Sequence, residues 1–211
     1  MRDWDLYFIT DRKLAGREDV EVVAEALAGG VKVVQYREKE LSSRFMYETA
    51  SKLRELTAKA KAKLIINDRV DIALAVNADG VHLGQEDLPL HIARKILGKK
   101  AIIGVTVHNV EEAIKAEKEG ASYLGVSPIY YTTTKPDAGP PGGIKLLRDV
   151  RTATSLPLAA IGGIREENIE EVINAGADFV CMISATVTQP DIKACVERIR
   201  KAINDTKNKG N

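Results

Sequence analysis

Two cysteines in 211 residues, Cys181 and Cys195, are too few for a disulfide framework and are not spaced like a zinc knuckle. Both read as packing residues. An excess of one charge is also lacking: 31 Lys and Arg against 30 Asp and Glu leave a formal net charge of +1. With the signs interspersed there is no surface for a long polyanion, so a nucleic-acid partner is excluded and any anionic partner must be small and locally met. No apolar run approaches the roughly 18 residues of a membrane span, and Asp3 and Asp5 interrupt the place where a signal peptide needs an apolar stretch. These absences predict a soluble, cytoplasmic protein with no membrane partner. A G-x-G-x-x-G step after the first apolar run is missing too, so a dinucleotide-binding Rossmann sheet has no support. What remains is an ordinary globular mixture, 45% hydrophobic and 29% charged, long enough for one large domain.

Eight short, β-branched apolar runs recur along the chain: 6–10, 31–36, 63–67, 79–84, 101–107, 122–127, 157–162 and 178–184. Most lack clean alternation, as strands covered on both faces do. Between them lie helical stretches with charged outer faces, such as EEAIKAEKEG, where Gly120 supplies the stop. A weak repeat marks helix-to-strand junctions: NADGVHLG, GASYLGVS and GADFVCMIS, with GGVKVVQ as a looser copy. Gly or Asn at such a junction accepts the left-handed C-cap conformation. The alternation predicts a single-domain α/β fold, a (β/α)8 TIM barrel over residues 1–203, followed by a polar tail, 204–211, expected to fray. The patch AGPPGG, 138–143, reads as a mobile loop after the sixth strand.

In such a barrel the chemistry gathers at the carboxyl ends of the strands. After strand two, Gln35, Arg37 and Lys39 alternate in QYREK, so one side of an extended segment carries two cations suited to a phosphate or diphosphate. The competing reading is a solvated strand end whose cations pair with Glu38 and Glu40. Asn67 and Asp68 follow strand three, and Asp87 follows strand four. Two carboxylates from neighbouring strands suit Mg²⁺, which keeps waters and phosphate oxygens as its other ligands. Taken singly, Asp68 equally reads as the cap of a helix beginning near Val70, and Asp87 as a cap before Pro89. Strand five offers Thr106, then His108, which as a lone His reads as structural. His82 falls inside strand four as a barrel-interior residue, and His91 on an exposed helix. Strand six leads into Ser127, Thr132, Thr134 and Lys135, an anion-binding combination at a barrel mouth. Gly162 and Gly163 after strand seven, with Ile183 and Ser184 after strand eight, form the recurrent phosphate site of these barrels, giving a second anion site.

Six blocks in order, QYREK, IINDRVDIALAVNADGVHLGQED, GVTVH, GVSPIYYTTTK, AIGGI and GADFVCMISA, resemble the thiamine-phosphate synthase family across nearly the whole chain. The resemblance implies a Mg²⁺-dependent enzyme with two small phosphorylated substrates, a hydroxymethylpyrimidine diphosphate and a hydroxyethylthiazole phosphate. They are joined with release of diphosphate through a dissociative, carbocation-like step. It assigns the pyrimidine diphosphate to the segment Gln35, Tyr36, Arg37, Glu38 and Lys39, with Asn67, Thr106 and Lys135. Asp68 and Asp87 become the Mg²⁺ ligands. The thiazole phosphate falls to Thr132, Thr133, Thr134, Gly163, Ile183 and Ser184, and Arg37, Lys39, Lys135 and Thr106 to catalysis. Thr106 stands where many members have Ser, which retains the hydroxyl. Two rivals are a paralogous thiazole tautomerase, which needs a proton-transfer residue and no diphosphate site, and a non-catalytic phosphate-binding barrel. A homo-oligomer is compatible with the sequence.

Overall fold

Each of the eight apolar runs forms a strand, because its β-branched side chains fit a pleated surface buried on both faces. The computed structural model of the chain describes residues 1, 3–135 and 138–209. The strands are β1 (Leu6–Ile9), β2 (Val33–Tyr36), β3 (Lys63–Asn67), β4 (Gly80–Leu83), β5 (Ile102–Val107), β6 (Tyr123–Val126), β7 (Leu158–Ile161) and β8 (Phe179–Met182). All pair in parallel with their sequence neighbours, and β8 returns to β1 with Cys181 opposite Tyr7, closing the barrel.

The helices are α1 (Arg12–Ala15), α2 (Asp19–Ala28), α3 (Ser43–Lys59), α4 (Val70–Ala75), α5 (Leu90–Leu97), α6 (Val110–Lys118), α7 (Gly143–Ala153), α8 (Ile169–Asn174), α9 (Ser184–Val187) and α10 (Ile192–Lys209). No helix among the described residues is long and apolar enough to cross a membrane. The junction repeat is real in backbone terms: Gly30, Asn77, Gly120 and Gly176 all have positive φ, the conformation that ends a helix and turns the chain into the next strand.

Alternation along the strands divides the core in two. Leu6, Phe8, Val34, Tyr36, Leu64 and Ile66 face the surrounding helices, while Tyr7, Ile9, Val33, Ile65, Tyr123, Phe179 and Cys181 fill the barrel with Trp4. Trp4 meets Phe179 and Tyr123 edge-on, with ring centroids 5.3 and 5.9 Å apart, a favourable aromatic arrangement. Both cysteines are buried and unbridged, as packing residues should be.

The expectation of a frayed tail is corrected. Residues 204–209 continue α10, because Ile203 and Thr206 are buried and Lys207 Nζ donates to the Asp178 carbonyl at 2.5 Å. Gly210 and Asn211 lie outside the described residues. The 138–143 segment is tied at its far end, where Gly142 and Gly143 donate to the carbonyls of Pro128 and Ile129 at 2.9 and 3.1 Å.

Candidate active site

A cavity of about 640 Å³ opens at the carboxyl ends of the strands. The inward alternation of β2 continues past its end, so Gln35, Arg37 and Lys39 line the cavity. Tyr36 and Glu38 do not. Tyr36 is fully buried among the helices, and Glu38 turns back on its own loop, its Oε1 accepting from the backbone N–H of Lys39 and Glu40, both at 2.7 Å. Neither side chain lines the cavity; Glu38 instead orders the loop that carries Lys39. Arg37 is held in place by Asp11 at 2.8 Å and, through its backbone N–H, by Thr10 Oγ1 at 3.0 Å.

Asp68 and Asp87 meet across the ends of β3 and β4. Neither caps a helix: α4 and α5 start without a side-chain cap at Arg69 or Pro89. Asp68 sits at φ 59°, a conformation Asp tolerates better than most residues, and its N–H donates to the His82 carbonyl at 2.9 Å. Its carboxylate is bound by Lys39 Nζ. Asp87 accepts from the Gly84 N–H at 2.7 Å. Burial, and then the neighbouring Asp68 carboxyl, push its pKa above the ordinary carboxylate range, as expected when two like charges converge in a partly desolvated place. A divalent cation would relieve that conflict. Two hard oxygen donors are of the kind that suits Mg²⁺, which keeps waters and phosphate oxygens as its other ligands; no cluster of three acidic, His or Cys residues occurs among the described residues.

The opposite side of the mouth is built from β6, β7 and β8. Thr132, Thr133, Thr134 and Lys135 line the cavity after β6, Gly162 and Gly163 after β7, and Ile183 and Ser184 after β8. Gly163 has φ 62°, and a Cβ there would lie 2.6 Å from the Tyr131 carbonyl oxygen, so only glycine lets these two loops pack together. The cavity also receives Arg165, Gln189 and Arg198, whose contribution alternation could not signal because they lie beyond the strands.

Below the mouth, hydrogen bonds cross the barrel interior from Gln35 to Tyr7, Tyr123, His82 and Thr106. His82 is therefore the interior residue its place in β4 predicts. Burial first, then the Lys135 charge, push its pKa down to about 4, so it is neutral at neutral pH. His108 pairs with Glu112 at 3.1 Å and stays off the cavity, and His91 is exposed on α5. Tyr7 and Tyr123 are the interior residues that the strand patterns alone did not single out.

The family model described as thiamine monophosphate synthase matches residues 6–186. The chain belongs to the thiamine monophosphate synthase family. It is 49% identical over 208 residues to the thiamine-phosphate synthase of Chloroflexus aurantiacus, covering 98% of this chain and 96% of that one. The corresponding protein of Moorella thermoacetica is 48% identical over 210 residues, covering 99% and 100%. Among solved structures, thiamine phosphate pyrophosphorylase from Pyrococcus furiosus superposes with a TM-score of 0.90 at 42% identity, over 97% and 98% of the two chains. As a thiamine monophosphate synthase family member the chain is an enzyme, a transferase, on a (β/α)8 barrel. All the residues that the family resemblance assigns, apart from Tyr36 and Glu38, line one cavity of this family member.

Proposed function

We propose that the enzyme joins 4-amino-2-methyl-5-hydroxymethylpyrimidine diphosphate to 4-methyl-5-(2-hydroxyethyl)thiazole phosphate, forming thiamine phosphate and diphosphate, in a cytoplasmic setting. The observation that carries this reading is that one cavity is lined by two sets of residues, each suited to an anion. One is a cationic set with paired carboxylates, Arg37, Lys39, Lys135, Asp68 and Asp87; the other is formed by the β6, β7 and β8 loops with Gly163 and Ser184.

In the reaction the bond between the pyrimidine methylene carbon and the diphosphate oxygen breaks, and a bond from that carbon to the thiazole nitrogen forms. Both electrons of the broken bond leave with diphosphate, so the departing group gains charge. Asp68 and Asp87 would hold Mg²⁺, which when bound would supply charge neutralisation to that leaving group. Arg37 and Lys39 from one side of the mouth, and Lys135 from the other, add fixed positive charge, placed before the reaction begins. Lys39, paired with Asp68 in the ligand-free protein, would be placed to meet the diphosphate. The electron-rich aminopyrimidine tolerates positive charge at its methylene carbon, which favours a dissociative path. The thiazole nitrogen carries no proton, so no general base is required. What the second anion site adds is orientation, holding the nucleophile beside the methylene.

A thiazole tautomerase is disfavoured by His82. An imidazole hydrogen-bonded at both nitrogens and neutral through burial is a poor proton shuttle.

The test is direct: incubate the purified protein with both substrates, with Mg²⁺ or with a chelator. Thiamine phosphate and diphosphate are expected in equal amounts with Mg²⁺ and near background with the chelator. Mg²⁺-independent turnover would overturn the metal assignment, and no thiamine phosphate under either condition would overturn the function.

A further inference from the structure

The chain leaving β1 runs beside the chain leaving β2 and meets it residue by residue. Pairing of the two strands puts Ile9 opposite Gln35, and the Thr10 N–H donates to the Gln35 carbonyl at 2.9 Å. Beyond the strands, side chains take over. Thr10 Oγ1 accepts from the Arg37 N–H at 3.0 Å, and Asp11 Oδ2 accepts from Arg37 Nη1 at 2.8 Å. Arg12 Nε lies 3.7 Å from Glu38 Oε2, and Lys13 Nζ donates to Glu40 Oε1 at 3.1 Å. Four consecutive residues thus hold the segment that carries Arg37 and Lys39. None of the four is among the described residues that line the cavity, and neither strand alternation nor the family resemblance gives them a role.

These pairings are unequal. Lys13 and Glu40 are largely exposed, where water and salt leave an ion pair little value, and the separation between Arg12 and Glu38 is long for a hydrogen bond. Asp11 and Arg37 expose only 12% and 17% of their side chains, so their attraction is less screened. Asp11 is also fixed from its other side. It is the N-cap of α1, its Oδ1 accepting from the Leu14 N–H at 3.0 Å, which leaves Oδ2 to face Arg37. A guanidinium is a rigid planar fork on a long, flexible stem. With Nη1 held by Asp11 the stem is ordered before any ligand arrives, and the rest of the fork is left to meet an anion in the cavity that Arg37 lines.

We propose that Asp11 is a positioning residue, which orients Arg37 for the diphosphate of the pyrimidine substrate without touching that substrate. For the identity of the anion the proposal rests on the functional reading above. Two effects of the Asp11 carboxylate oppose each other. Its negative charge subtracts from the positive field at the mouth and weakens anion binding, whereas a fork fixed in advance spares the ordering cost that binding otherwise bears. Orientation wins. Asp11 stands behind the guanidinium, off the cavity, so its repulsion acts at a distance while the bonds it orients act at contact. Removing the carboxylate therefore weakens diphosphate binding, the opposite of what loss of a negative charge does by itself.

The experiment is a double-mutant cycle of Asp11→Ser and Arg37→Gln, read by calorimetric binding of inorganic diphosphate in Mg²⁺ buffer, with melting temperature and the KM of each substrate alongside. Serine keeps the cap of α1 and is too short to reach Arg37. With Arg37 present, Asp11→Ser is expected to raise the diphosphate dissociation constant about tenfold, the scale of one oriented hydrogen bond. In the Arg37→Gln background the same substitution should change it by less than about twofold, since a residue that acts through Arg37 has nothing left to act on. The KM of the thiazole phosphate should stay at its wild-type value. Tighter or unchanged binding in Asp11→Ser overturns the proposal, whatever its melting temperature. So does an equal loss in both backgrounds, the mark of a merely structural carboxylate, and so does wild-type protein that binds no diphosphate. If the serine variant does not fold, Asp11→Asn takes its place in the cycle, because its one oxygen keeps the cap and its amide N–H groups face Arg37. The full expected cycle in a protein that forms no thiamine phosphate would instead overturn the functional reading and leave Asp11 as the residue that orients Arg37.

Discussion

Asp87 shows at a single residue how activity and stability oppose each other. Its carboxyl is half-buried beside Asp68, and burial, then the Asp68 carboxyl, raise the cost of ionising it. Asp87→Asn keeps an oxygen to accept from the Gly84 N–H but removes the like charge. The metal-free variant should melt at or slightly above the wild-type temperature, while Mg²⁺-induced stabilisation disappears and coupling falls by about 10- to 100-fold or more. Melting curves with and without Mg²⁺, read beside the coupling rate, check this; a variant that still gains melting temperature from Mg²⁺ would remove Asp87 from the ligand set. The residue scale is also where the sequence was most legible. Period two alone puts Gln35, Arg37 and Lys39 on one side, and the same rule turns Tyr36 and Glu38 away, against what their membership of the family segment implied. His82 was legible as interior, but its partners were not, because Tyr7, Tyr123 and Thr106 come from three other strands.

At the level of elements, the first turn of α2 holds a titration that no catalytic argument uses. Asp19 is 1% exposed, and neither carboxylate oxygen has a hydrogen-bond partner. Burial first, then the charge of Glu38, raise its pKa to about 7. For a carboxyl raised in the folded state, the folded protein binds more protons than the unfolded chain between about pH 4 and pH 7, so stability falls as pH rises through that window. Asp19→Asn removes the group. Relative to this variant, wild type should lose about 1.4 kcal/mol for each unit of pKa difference across the interval and level off above it. Denaturant titrations at pH 4, 6 and 8 measure the difference, and parallel pH profiles for the two proteins would contradict it. Element boundaries were legible where apolar periodicity was strong. They failed at residues 204–209, where polar composition suggested fraying but two buried positions, Ile203 and Thr206, carry α10 onward. Gly163 was legible as a loop glycine after strand seven, yet its close approach to Tyr131 depends on how the β6 and β7 loops meet, which no local pattern encodes.

For the whole molecule, a net charge of +1 conceals an uneven placement of charge, and the barrel separates its uses by face. At the mouth, Arg37, Lys39, Lys135, Asp68 and Asp87 line one cavity. Away from the mouth, ahead of β1, Arg200 of α10 binds Asp5, with Nε 2.9 Å from one carboxylate oxygen, and donates to the Gly29 carbonyl at 3.1 Å. This pairing ties the last helix to the first strand of the closed sheet, and Asp5 is almost completely buried. Arg200→Ala leaves that carboxylate without its charge partner, with only the Leu6 N–H still donating to it at 2.6 Å, a loss of about 3 kcal/mol, or roughly 6 to 12 °C in a domain of this size. Its kcat/KM at a temperature well below melting should match wild type, because Arg200 does not line the cavity. Lys135→Ala should show the converse, near-native melting with a fall in kcat, since a loop lysine contributes little to a core. Combined, the two substitutions should give the melting loss of one and the rate loss of the other, because distant sites without shared partners add. Differential melting and initial rates on the three variants decide the matter: a rate defect in Arg200→Ala at low temperature, or a large melting loss in Lys135→Ala, would mean that the two faces are coupled through the barrel rather than separate.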